Sequence, residues 1–220
     1  RQDAFIVETM HQDFFSATFY SMRKDFKKQY NLRVQDQSDY FFESMFIMVI
    51  QNMLCMILLS KGEPTKFIND YSLNLCIFFT NLALHFSCLA TIRNGVTICK
   101  FAVYNHTELD NPIATFILGL VVVQTNVLCA ITNMVFSLAQ TNVVSVIQKF
   151  VAYKVLIQII DYYTRSRANF EIKGSVVRNP VKINNDDREL LNSKISISIR
   201  IMYYMYKVLR SMFTSIYFYF

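Results

Sequence analysis

The stretch from Ile113 to Ala139, "IATFILGLVVVQTNVLCAITNMVFSLA", contains no ionisable side chain except one cysteine. A helix needs about 20 apolar residues to cross about 30 Å of hydrocarbon, so this stretch predicts a membrane-spanning helix. Phe41 to Leu59, with one acid near its start, and Tyr71 to Ile92, with a single histidine, have the same character. The sequence therefore predicts an all-α integral membrane protein, without indicating which membrane it occupies.

The composition points the same way. Of the 220 residues, 53% are hydrophobic and 17% are charged, whereas a soluble domain carries about 25% charged residues. The formal net charge is +6, and the basic side chains cluster next to apolar stretches, where membrane proteins keep their cytoplasmic bases. The charge therefore favours contact with a bilayer over contact with nucleic acid.

The predicted organisation has four parts. Residues 1–39 show apolar side chains at intervals of three and four and end in a basic cluster, which predicts an amphipathic helix. Such a helix lies in the headgroup layer or packs against the protein's own loops. The other parts are the membrane helices within 40–163 (41–59, 71–92, 113–139 and the ambiguous 142–163), a basic cytoplasmic loop at 164–194, and a basic, aromatic helix at 195–220 that we expect to enter the membrane.

The ambiguous stretch, 142–163, has the length of a span but contains Lys149 and Lys154. Each lysine at the centre of a span costs about 2.5–3.5 kcal/mol, less if it faces protein. Basic clusters before the first span and within 164–194 belong on one side of the membrane, which requires an even number of crossings between them. We therefore expect 142–163 to cross or to enter the membrane deeply and turn back, rather than to lie on its surface. A crossing gives four to five membrane helices, with the glycosylation sequon at Asn105 on the cytoplasmic side and unused.

Polar side chains interrupt two of the predicted spans at intervals of four or seven residues. They are Asn74, Asn81 and His85 on one helix, and Asn126, Asn133 and Gln140 on the other. Residues at these intervals share one helix face. Buried amides hold membrane helices together at about 0.6 kcal/mol per hydrogen bond, so helix packing is the preferred interpretation. The alternative is that the two stripes line a path for ions.

Basic side chains near the ends of the apolar stretches are candidates for binding anionic lipid headgroups. They are Lys27, Lys28, Arg200, Lys207 and Arg210. No glycine-rich phosphate loop, nucleophile motif, or cysteine and histidine pattern with metal-ligand spacing occurs in the sequence. We therefore expect no catalytic, cofactor-binding or metal site, and no enzyme.

These features favour a structural or assembly subunit that packs laterally in the bilayer, as a homo-oligomer or within a larger membrane assembly. A first alternative is an ion-channel subunit with a polar path lined by Asn126, Asn133 and His85. A second alternative is an accessory subunit of an energy-converting membrane complex. Because there is no Met at position 1 and only ten residues follow Arg210, we also expect the sequence to belong to a longer chain.

Overall fold

The computed structural model describes residues 5–8, 10, 13–31, 33–61, 70–166, 181–184 and 196–217. In these ranges the chain forms seven α-helices, one short 3-10 helix at His106–Glu108 and one two-stranded antiparallel sheet, so the all-α class is confirmed. The strands are β1 (Phe5–Glu8) and β2 (Val181–Asn184). The helices are α1 (Phe14–Ser21), α2 (Lys24–Tyr30), α3 (Val34–Lys61), α4 (Tyr71–Tyr104), α5 (Pro112–Leu138), α6 (Val143–Ser166) and α7 (Ile197–Tyr217).

Side-chain caps define where the two central helices begin. Asp70 accepts a hydrogen bond from the backbone N–H of Ser72 at 2.9 Å at the start of α4. Asn111 accepts one from Ala114 at 3.1 Å at the start of α5, where Pro112 occupies the first turn. Such caps satisfy backbone donors that have no partner within the helix, and proline in the first turn has no donor to leave unpaired.

Three of the described helices are long and apolar enough to cross a membrane. They are Val34–Ser60 with 27 residues, Tyr71–Tyr104 with 34 residues and Pro112–Leu138 with 27 residues. The three apolar stretches of the sequence are thus confirmed as helices. At 1.5 Å per residue α4 is about 51 Å long, well beyond the roughly 30 Å of a hydrocarbon core. One end of α4 therefore has to be accommodated by other protein segments.

The C-terminal end of α4 lies in an aromatic core, which we call the packed end. Its walls are α1, the sheet, the first turns of α5 and the first half of α7, all packed around residues 92–104. The rings of Phe19 and Phe101 meet edge to face with centroids 5.1 Å apart, and those of Tyr104 and Tyr206 with centroids 6.0 Å apart. Edge-to-face ring pairs add to the stabilisation from burial, so this end is a dense protein core.

The other ends of α3, α4, α5 and α6 form what we call the four-helix section, comprising residues 49–61, 71–91, 121–138 and 143–157. Leu73 and Val146 are buried between helices here, at 2% and 0% exposure. Phe78 and Phe79 on the outer face of α4 are 60% and 56% exposed. Apolar side chains thus cover the outside of this section, as expected for helices surrounded by lipid.

The helix α6 runs the full distance between these two regions. Its Val146 packs against Leu73 and Ile77, near the start of α4. The ring of Tyr163, close to its other end, meets Phe14 of α1 edge to face at 5.2 Å. The predicted helix at 142–163 is therefore confirmed as a helix that lies alongside α4 and α5, and it extends through Ser166.

The expectation of one amphipathic helix in residues 1–39 is wrong. The described part of this segment contains β1 and two short helices, and α3 already begins at Val34. Every residue of α1 is buried, so this helix has no face for lipid headgroups. Asp13 caps its start, and its polar side chains are satisfied within the fold, as when the hydroxyl groups of Thr18 and Ser44 meet at 2.6 Å. The intervals of three and four between apolar side chains in this segment therefore reflect burial within the protein, not an amphipathic surface.

The region after α6 also differs from the predicted loop. The strand β2 lies within it and pairs antiparallel with β1, so that Val181 faces Glu8 across the sheet. In the sequence, Asn185 or Asp186 could cap a short helix within the predicted loop, but this segment lies outside the described residues. The predicted helix at 195–220 is confirmed as α7. It starts beside Tyr104 and runs antiparallel to α4, so that its Phe213 packs near Cys88 and Ile92.

Candidate functional site

The two predicted polar stripes meet at one pair of amides in the four-helix section. The Nδ2 of Asn133 on α5 donates a hydrogen bond to the Oδ1 of Asn81 on α4 at 2.7 Å. The Nδ2 of Asn81 donates to the carbonyl oxygen of Ile77 in its own helix at 2.9 Å. Asn133 is fully buried. This pair therefore links α4 and α5 in the way the packing interpretation requires.

Two other stripe amides bond to backbone carbonyl groups nearby in the chain. Asn126 donates to the carbonyl of Val122 at 2.9 Å within α5, and Gln140, just past the end of α5, donates to the carbonyl of Phe136 at 3.0 Å. Asn74 is exposed near the start of α4, and His85 is half-buried on the same helix. The bond between Asn81 and Asn133 thus joins the two stripes across helices, while two other amides bond to backbone carbonyls nearby in the chain.

Polar groups on α3 make further contacts with other helices. Gln51 donates to the backbone carbonyl of Leu156 on α6 at 3.0 Å. Asn52 donates to the hydroxyl of Thr125 on α5 at 2.8 Å. The sequence places both amides near the middle of a span, but it does not show which neighbour each one faces. Together they attach α3 to the rest of the four-helix section.

Both lysines of α6 face protein. The Nζ of Lys154 donates to the hydroxyl of Ser87 on α4. The Nζ of Lys149 lies 5.5 Å from the centre of the Phe136 ring on α5, a cation–π contact. These partners lower the free-energy cost of a lysine within an apolar helix, which was the main objection to a crossing by α6.

Two glycines allow α4 and α5 to approach closely. A Cβ placed on Gly95 would lie 2.9 Å from the carbonyl oxygen of Gly119, and one placed on Gly119 would lie 2.8 Å from that of Gly95 and 2.6 Å from the Sγ of Cys99. Gly119 looked isolated in the sequence, because nothing there reveals that Gly95 faces it. Small residues at a crossing point permit tight van der Waals packing, which holds membrane helices together.

A row of polar side chains on α4 forms hydrogen bonds to the N-terminal segment at the packed end. Asn94, Thr97 and Lys100 are 4%, 5% and 7% exposed, and their spacing of three places them on one helix face. The Nζ of Lys100 donates to Glu8 at 2.6 Å, and the hydroxyl of Thr97 donates to the other carboxylate oxygen of Glu8 at 2.6 Å. Asn94 donates to Asp13 at 2.9 Å. We call these five residues the polar clamp. Nothing in the sequence reveals this clamp, because Glu8 and Lys100 are 92 positions apart.

The electrostatics of the polar clamp favour an ionised Glu8. Burial alone would raise the pKa of this carboxyl group. The hydrogen bonds from Lys100 and Thr97, with the positive charges of Lys100 and Arg93 nearby, outweigh burial and hold the pKa below its ordinary value. The carboxylate is therefore a stabilising part of the packed end at neutral pH.

The predicted headgroup-binding bases have different surroundings. Lys27 is paired with Asp110 at 2.9 Å, and Lys207 lies 5.1 Å from the centre of the Tyr203 ring. Arg200 is half-buried, while Lys28 and Arg210 are exposed. The Lys27 pair ties α2 to the connection between α4 and α5, which puts the basic N-terminal cluster and this connection at the same end of the helices.

The contacts described above hold helices and segments of the fold together. In the residues that the structure describes, no group of three or more histidine, cysteine or acidic side chains is placed to hold a metal ion. Cys55 and Cys129 approach to 3.2 Å between their sulfur atoms as free thiols. No family model, no curated protein and no solved structure matches this chain. The geometry of the described residues is therefore the basis for a functional proposal.

Proposed function

We propose that this chain is a non-enzymatic structural or assembly subunit of a membrane, which packs laterally against other membrane helices. The observation that carries the proposal is the division of polar and apolar groups in the four-helix section. Mid-helix amides such as Asn133 and Gln51 are bonded inward to neighbouring helices. The outer faces of the same helices are covered with exposed apolar side chains. This arrangement suits a subunit whose helices are held together by hydrogen bonds and whose exposed apolar faces contact neighbouring membrane helices.

The proposal includes four membrane crossings, by α3, α4, α5 and α6. The contacts of Val146 and Tyr163 support a full crossing by α6, since they lie at opposite ends of the bundle. The packed end, with its paired Lys27 and neighbouring bases, then faces the cytoplasm. From there α7 runs along the second half of α4 towards the four-helix section, and we propose that it enters the bilayer as a fifth helix.

The bonding of the amides favours packing over an ion path. A pore lining needs polar groups that remain available to water and ions along a continuous route. The amide NH₂ groups of Asn126 and Asn133 donate to Val122 and Asn81, respectively. Both asparagines are nearly or fully buried, at 5% and 0% exposure. The NH₂ groups of both asparagines are thus bonded within the protein rather than available along a water-filled route.

Electron microscopy of the full chain, extracted gently from its native membrane, tests the proposal. We expect an extended array or a large assembly in which this chain contacts its neighbours through its helices. A small ring with a central opening lined by Asn126, Asn133 or His85 would contradict it and favour a channel. Co-purification with cofactor-bearing proteins would instead favour an accessory subunit of an energy-converting complex.

Conductance in planar bilayers provides a second, independent test. The purified chain should give no single-channel currents at any pH between about 5 and 8, the range in which an unperturbed histidine titrates. Currents that change with pH and disappear when His85 is replaced by leucine would overturn the structural proposal. A heat-inactivated sample, reconstituted at the same protein-to-lipid ratio, controls for leakage that is caused by damaged protein.

A further inference from the structure

An amide near the middle of α5 is exposed on the outside of the four-helix section. The exposed side chains of α5 are Ile113, Ile117, Gln124, Ile131, Met134, Val135 and Leu138, and Gln124 alone among them is polar. It lies near the middle of α5, about 18 Å from one helix end and about 21 Å from the other at 1.5 Å per residue. In the part of the chain that the structure describes, its amide makes no hydrogen bond. At this depth neither water nor headgroups supply partners.

Gln124 borders an open groove between α3 and α5. The groove has a volume of about 400 Å³ and is lined by Val49, Asn52, Met53, Met56, Ile57 and Gln124. The NH₂ group of Asn52 is already engaged, since it donates to Thr125 and to the carbonyl of Met48. The Oδ1 of Asn52 is buried, so Gln124 is the polar group that this groove offers to an occupant. Lipid tails would leave both its donor and its acceptor unpaired, at a cost that another amide would remove.

The face of α3 that borders the groove, and continues beyond it, has the spacing of a helix-pairing surface. Five exposed apolar residues follow each other at alternating intervals of four and three: Phe42, Phe46, Val49, Met53 and Met56. This is the a/d pattern of left-handed helix pairs, in which each side chain fits between four side chains of the facing helix. Membrane helices commonly pack with this geometry, at about +20°. The surface thus combines a heptad seam with one central amide.

We propose that a second copy of this chain docks on this surface, α3 and α5 against α3 and α5, with the two Gln124 amides hydrogen-bonded to each other. A glutamine amide carries both a donor and an acceptor, so it is complementary to its own copy across a twofold axis. This inference rests on the proposed lateral packing function and names its partner and its surface. It also gives that packing a defined symmetry.

Removal of the outward amide tests the energetic part of this inference. The full chain carrying Gln124→Leu, reconstituted in lipid vesicles, should show a dissociation constant for the dimer raised about 3- to 30-fold, corresponding to about 0.6–2 kcal/mol of interhelical hydrogen bonding. Energy transfer between labelled copies at increasing lipid dilution measures this constant. Gln124→Asn, which keeps an amide, should retain most of the association.

The matched control is Gln148→Leu. Gln148 is an exposed amide on α6, only five residues after Val143 at the helix start. Water and headgroups reach this region, so its replacement should leave the dissociation constant unchanged. Neither leucine variant should lower the thermal midpoint of the bundle, because both side chains are exposed. Equal weakening of the dimer by both changes would overturn the role of Gln124.

Photo-crosslinking locates the contact and separates this inference from the proposed function. A benzophenone residue at position 53 in the groove should join two copies of the chain, whereas one at position 79, on the exposed outer face of α4, should not. Dimers joined at 79, or products at 53 containing lipid or a different protein, overturn the second-copy inference while lateral assembly survives. A chain that is monomeric even when extracted from its native membrane overturns both.

Discussion

The two ends of α4 illustrate how one helix can be stabilised in two different ways. Residues 92–104 at the packed end are surrounded by protein and include the buried polar side chains Asn94, Thr97 and Lys100. Residues 71–91 in the four-helix section are buried along one stripe, and large side chains such as Phe78 are exposed on the other side. The same backbone therefore faces protein at one end and an apolar surrounding at the other.

The polar groups differ accordingly. The packed end contains an ion pair, Lys100 with Glu8, that is supported by additional hydrogen bonds. The four-helix section relies mainly on neutral amides, such as Asn81 with Asn133. A buried charge requires several well-placed partners, whereas an amide requires fewer and costs less to remove from water. The number of available partners thus decides which polar groups each region can accommodate.

The largest expected effect comes from filling the crossing of α4 and α5. Gly119→Leu should destabilise the bundle by more than about 3 kcal/mol, because overpacking against a backbone carbonyl has little room to relax. Gly119→Ala is the sharper test. Alanine favours a helix by about 1 kcal/mol over glycine, yet we expect a lower thermal midpoint in detergent. Ala83→Leu, at an exposed site on α4, is the control. A midpoint raised by Gly119→Ala would show that the helices are not in close contact there.

Breaking the ion pair of the polar clamp should have the next largest effect. Lys100→Met leaves the Glu8 carboxylate without its counter-charge. We expect the free energy of unfolding to decrease by about 2–3 kcal/mol. This is less than for fully buried pairs, because the side chain of Glu8 is 19% exposed. Lys27→Met breaks a pair whose side chains are 28% and 32% exposed and should cost about 0–1 kcal/mol. Chemical denaturation measures both. Similar losses for the two variants would argue against a special role for the clamp.

Removing the amide pair should have a moderate effect within the four-helix section. Asn133→Leu eliminates the hydrogen bond to Asn81 and should lower the free energy of unfolding by about 0.6–2 kcal/mol. Asn126→Leu removes only a bond to the carbonyl of Val122 in its own helix, so its effect should be smaller. Thermal unfolding in the same detergent compares the two variants. The packing role of the amide pair is contradicted if Asn126→Leu is the more damaging change.

The smallest expected effect is a dependence of the packed end on pH. Because the pKa of Glu8 is lowered in the fold, its stabilisation is complete above the ordinary value of about 4.3 and is lost as the pH falls through the lower, folded value. The thermal midpoint should therefore decrease less between pH 6 and pH 3 for Glu8→Gln than for the unmodified chain. Parallel curves for the two proteins would exclude a contribution from Glu8.

The apolar stretches alone were enough to predict three membrane-length helices and the helical class. Their signal is strong because a hydrocarbon core requires a long run without charges, and this requirement acts on each segment by itself. The helix at 142–163 was also predictable, despite Lys149 and Lys154. Its crossing of the membrane, expected from the distribution of basic residues around it, stays a prediction. The surroundings of the N-terminal segment could not be predicted. The spacing of Phe14, Phe15 and Phe19 is the same for a helix on a membrane and for one that is buried in protein.

Only the tertiary structure decided which groups meet. The pairing of Gly95 with Gly119, the bond between Asn81 and Asn133, and the contact of Lys100 with Glu8 join residues that are 24, 52 and 92 positions apart. Sequence periodicity gives the face of a helix on which a residue lies, but the partner of that face depends on how all the helices pack together. For this protein the sequence determined that apolar helices form, and the packing determined what holds them together.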